Sequence, residues 1–75
     1  MEGSLGLDFK LKYNKTLKRQ DKAEAWINAN APDSKSAEYQ EYMKILLTLN
    51  RMIKEAVQMS YFMTHDEIVG GFTVD

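Results

Sequence analysis

From Tyr39 to Met63 the chain repeats at alternating steps of three and four residues: Tyr39, Tyr42, Leu46, Leu49, Ile53, Ala56, Ser60 and Met63, all apolar or aromatic except Ser60. A spacing that averages 3.5 residues keeps one seam of an α-helix facing a second helix along its whole length. Ile45, Met52 and Met59 recur every seven residues and widen that seam on one side. The pattern predicts an all-α fold in which this segment packs lengthwise against another helix.

The partner helix must come from the residues before it. Thr16 to Ala29 is rich in Lys, Arg, Gln, Glu and Ala, all good helix formers. Ahead of it, Leu5, Leu7, Phe9, Leu11 and Tyr13 alternate strictly, a strand signal, while Phe9, Tyr13 and Leu17 lie four apart, a helix signal. A strand would need a partner strand, and Phe72-Thr73-Val74 is the one short candidate. A helix from about Tyr13 with an extended lead-in therefore fits better. Residues 1–7, with two glycines and a serine, are expected to fray.

Pro32 disfavours helical geometry at Ala31, so the first helix should end between Asn28 and Ala31. Asp33 and Ser34 are good N-caps for the second, and Glu38 complements the dipole of its first turn. A loop this short makes the two helices an antiparallel hairpin. No proline or glycine occurs between Ser34 and Met63, which predicts an uninterrupted second helix of roughly 45 Å against roughly 25 Å for the first. Thr64-His65-Asp66-Glu67 then has the form of a capping box, flanked by Met63 and Ile68 at the positions of a hydrophobic staple, and Gly70-Gly71 ends the short helix it opens. The expected architecture is a single domain: a helical hairpin, a short C-terminal helix and a tail over residues 72–75.

The unequal lengths carry a further expectation. A short first helix would cover the second only to about Arg51, leaving Met52, Ile53, Ala56, Val57, Met59, Ser60, Tyr61, Phe62 and Met63 without a partner inside the chain. Each large apolar side chain left wet forgoes roughly 1.5–3 kcal/mol. The fold is thus expected to be completed by oligomerisation, as a homodimer or higher assembly of coiled-coil type with those residues in the contact.

Chemistry-bearing motifs are scarce. His65 is the sole histidine and there is no cysteine, so no metal centre and no disulfide is expected. Asp66 and Glu67 beside it point in different directions on a helix and read as an acidic first turn. No nucleophile elbow accompanies the serines and threonines, and Gly70-Gly71 lacks the lysine of a phosphate loop. Glu38 and Glu41 share a helix face with Lys35 and Lys44 near them, a solvated charge ladder. Asn14-Lys15-Thr16 matches a glycosylation sequon by coincidence, since no secretion signal accompanies it. No catalytic residues and no cofactor are expected.

The charge distribution is more informative. Residues 1–22 hold six basic and three acidic side chains, whereas residues 23–75 hold four basic and eight acidic ones. On a helix, Lys15, Lys18, Arg19 and Lys22 fall on one face and form a candidate surface for an anionic partner, nucleic acid included. No aromatic is interleaved among them, so a solvated face or a contact with an acidic protein surface ranks ahead of nucleic acid. The longest aliphatic run, Ile45-Leu46-Leu47, is far too short to span a bilayer. These features favour a small cytoplasmic, non-enzymatic helical protein that acts by contact with itself or another protein. An accessory protein of a phage or other mobile element has this character.

Overall fold

The fold, seen in a computed structural model, is described for residues 5–74. Three helices follow one another: α1 over Leu7–Asn30, α2 over Ala37–Gln58 and α3 over His65–Gly70. The first two form the expected antiparallel hairpin, α3 folds back against α1, and no strand occurs among the described residues. The molecule is elongated, 46 × 24 × 19 Å.

Helix α1 starts six residues earlier than the sequence suggests. Asp8 sits in its first turn, and Lys10 N–H donates to Gly6 O at 3.2 Å. The reason lies at the other end of the chain. Phe72 packs edge-on against Phe9 and Tyr13, with ring centroids 6.3 and 5.5 Å away, and a helix puts those two side chains on one face. The strand-like alternation over residues 5–13 is incidental: Phe9 and Tyr13 turn inward while Leu7 and Leu11 stay exposed. Leu5, expected to fray, is buried in the core, and residues 1–4 lie outside the described part.

The first turn of α2 is capped by Ser36, whose Oγ accepts from Tyr39 N–H at 3.1 Å, two residues beyond Ser34 and three beyond Asp33, the expected caps. Asp33 instead shapes the turn, its Oδ1 accepting from Lys35 N–H at 3.2 Å. At the far end α2 stops five residues short of Met63. Ser60 adopts a left-handed φ of 63°, Ser60 N–H donates to Val57 O and Tyr61 N–H to Ala56 O, both at 2.9 Å. These two bonds define a Schellman motif, the usual helix stop, here with serine where glycine is commoner. The strain of a left-handed serine is offset because the turn brings Tyr61 and Met63 back onto the core.

Thr64 caps α3 as the capping box predicts: Thr64 Oγ1 accepts from Glu67 N–H at 3.2 Å, and Thr64 N–H donates to Glu67 Oε1 at 3.0 Å. The backbone break at Met63–Thr64 is therefore real, although α2 has already ended before it.

The core holds Leu5, Tyr13, Leu17, Ile45, Leu49, Met52, Ala56 and Phe72. Tyr13 is fully buried and donates its hydroxyl to Ile68 O at 2.7 Å, so one side chain joins α1 to α3 and leaves no polar atom unpaired. Asn14 clamps the tail: its Nδ2 donates to Phe72 O at 2.8 Å, while its Oδ1 accepts from Phe72 N–H at 2.7 Å. Gly71 makes the clamp possible, since its φ is 87° and a Cβ there would lie 2.6 Å from Asn14 Oδ1.

With 24 and 22 residues, α1 and α2 are about 36 and 33 Å long, nearly equal. The mismatch of lengths from which oligomerisation was inferred is absent. Met52 and Ala56, both expected at an oligomer contact, are buried inside the single chain.

Candidate interaction surfaces

Two surfaces stand out once the core is removed from consideration. The first is the outer side of α1. Lys15, Lys18, Arg19 and Lys22 are all exposed and lie together around a shallow depression, as the helical spacing predicts. Asp21 shares that depression, and Arg19 is engaged by Glu41 of α2 at 3.2 Å across the solvent-facing side of the hairpin. Both acids weaken the face as an anion site. Lys10, also basic, leans over the Phe72 ring at 6.0 Å and supports the tail.

The second surface is the open flank of α2. Beside the seam buried against α1 runs another line at steps of four and three: Tyr39, Met43, Leu46, Asn50, Ile53 and Val57. Its members are half-buried or exposed, with Met43 at 40% and Val57 at 45% of full exposure, and Leu47 beside them at 61%. A groove separates this line from α1, lined among others by Gln20, Asp21, Glu24, Leu46, Asn50 and Ile53 and closed at one end by Ile68 and Val69 of α3. The seam read from the sequence already holds Tyr39, Leu46 and Ile53; the members it lacks are Met43, Asn50 and Val57, each four residues further along the same face.

The residues expected at an oligomer contact are scattered by the turn at Ser60. Ile53 and Val57 lie on the open flank. Tyr61 and Met63 are half-buried against the core, Ser60 forms the turn, and Met59 caps α2. Phe62 projects outward at 75% exposure. Trp26 is exposed and borders a separate pocket of about 400 Å³ with Ala23, Ala37, Glu38 and Glu41.

Perturbed titrations cluster at α3 and serve the fold. Glu67 is held below the usual carboxylate range, first by the Tyr61 hydroxyl donating to its Oε2 at 2.7 Å and then by the Thr64 backbone N–H. The same hydrogen bond raises Tyr61, and burial raises Tyr13. His65 is exposed, and no group of three His, Cys, Asp or Glu side chains suited to a metal occurs among the described residues. No described helix is long and apolar enough to cross a membrane.

Compared with known proteins, the chain matches no family model, and no curated protein or solved structure shows significant similarity to it.

Proposed function

We propose that this is a small non-enzymatic protein of the cytoplasm that acts through protein–protein contact, in the first place with a second copy of itself. The observation that supports this reading is the open flank of α2, where Met43 and Val57 stay exposed although they continue a helix-packing repeat, and Leu47 beside them is exposed as well. A soluble domain seldom leaves such a line of large apolar side chains uncovered without a partner for it. The contact thus moves from the far half of α2, where unequal helix lengths placed it, to its flank; Ile53 and Val57 belong to both versions. An inhibitor or adaptor role, of the kind found in accessory proteins of mobile elements, would use the same surface. Light scattering over a concentration series tests the reading: a dimer mass at high micromolar concentration supports it, and a folded monomer throughout overturns it.

The alternative is an anionic partner, nucleic acid or nucleotide, on the outer face of α1. What favours it is the exposure of Lys15, Lys18 and Lys22 on one side of the helix. Phosphate contacts would show as a steep loss of affinity for generic DNA with added salt, abolished by Lys15→Glu with Lys22→Glu.

A further inference from the structure

We infer that a second copy of the chain covers the open flank of α2 with the two α2 helices running parallel, so that Asn50 meets Asn50 across the two-fold axis. The inference rests on the self-association proposed above and specifies its surface and direction.

Two features of the flank choose this arrangement. The first is charge. The two edges of the flank have opposite signs: Asp21 and Glu24 of α1 border the groove on one side, and the exposed Lys44, Arg51 and Lys54 line the outer edge of α2 on the other. In a parallel two-fold pair each edge meets the opposite edge of the second copy. Residues of the same number then lie at the same height, so Lys44 of one copy falls about 3 Å along the axis from Leu46 of the other, beside which Asp21 and Glu24 lie. An antiparallel pair would bring each edge against its own counterpart.

The second feature is Asn50, the one polar member of the 3–4 repeat. In a parallel pair it faces its own copy, and each amide can donate to and accept from the other, the arrangement by which a single core asparagine sets register in two-stranded coiled coils. In an antiparallel pair along the same line it would face an apolar member, Leu46 or Ile53 according to register, and its buried amide would lack a partner. The exposed Leu47 also finds a place. From the outer edge of one α2 it reaches the groove between Gln20, Glu24 and Leu46 of the other copy, where a half-covered apolar floor is waiting.

The chain contains no cysteine, so single cysteines test the direction directly. Asn50→Cys and Leu47→Cys would be compared under mild oxidation, with circular dichroism showing that both retain the helical fold. A parallel pair places the two positions 50 within disulfide reach and the two positions 47 on opposite sides. The expected result is a covalent dimer from Asn50→Cys, formed at least about tenfold faster than from Leu47→Cys. Faster linkage at position 47, or none at either while light scattering still reports a dimer, overturns the inference and leaves self-association standing. A monomeric unmodified protein overturns both. As a second measurement, Glu24→Lys should weaken dimerisation about fivefold, and adding Lys44→Glu should restore it; failure of the double variant to recover counts against the parallel pairing.

Discussion

Asn14→Ala should destabilise this protein far more than a solvent-accessible asparagine on a helix normally would. Both polar ends of the Asn14 side chain are bonded to the backbone of one residue, at 2.8 Å to Phe72 O and 2.7 Å to Phe72 N–H. Each such bond contributes about 1 kcal/mol net, so truncation removes about 2 kcal/mol. Alanine returns up to about 0.7 kcal/mol through its higher helix propensity, which leaves a loss of about 1.3 kcal/mol from the clamp alone. The tail then becomes free to leave, and with it Phe72, whose ring packs on Phe9, Tyr13 and Tyr61. Some of that burial is forfeited as well, which brings the total to about 2–3 kcal/mol. Urea denaturation followed by circular dichroism measures it, with Asn28→Ala, an exposed asparagine of the same helix, as the control. The control should change stability by less than about 0.7 kcal/mol. A loss below about 0.5 kcal/mol for Asn14→Ala would show that the clamp does not hold the tail, and the account of why α1 begins at Leu7 would fall with it.

Other perturbations follow from the same contacts. Thr64→Ala removes the cap of α3 and should cost about 1 kcal/mol in the same denaturation experiment. Glu67 has a folded-state pKa below its unfolded value, so its contribution is fully present above the unfolded pKa and is lost as pH falls through the folded one. Acid unfolding below about pH 4.3 should therefore be less steep in Glu67→Gln, and Tyr61→Phe should move the Glu67 carboxyl back toward its ordinary range in an NMR titration. Under the proposed self-association, Val57→Asp, at a half-exposed position of the open flank, should leave the helical signal intact and shift light scattering to the monomer; a mass unchanged from that of an unmodified dimer would remove the flank from the contact.

The local code of this chain is legible where residues close in sequence do the deciding. The hairpin follows from a 3.5-residue repeat and from Pro32, and α3 follows from a capping box whose bonds span only three residues. The basic face of α1 is equally local, because helical spacing alone puts Lys15, Lys18, Arg19 and Lys22 on one side.

Tertiary contacts decided the rest. The sequence read alone allows either strand or helix over residues 5–13; Phe72, packed on Phe9 and Tyr13, selects the helix. The end of α2 carries no glycine to announce it, and Ser60 takes a left-handed conformation because the returning chain buries Tyr61 and Met63. Asn14 and Phe72 meet across 58 residues. Each of these outcomes balances a local preference of about 1 kcal/mol against burial of one or more large side chains worth roughly twice that, and burial depends on neighbours that no window of sequence contains. By lengthening α1 and shortening α2, those contacts also made the two arms of the hairpin nearly equal.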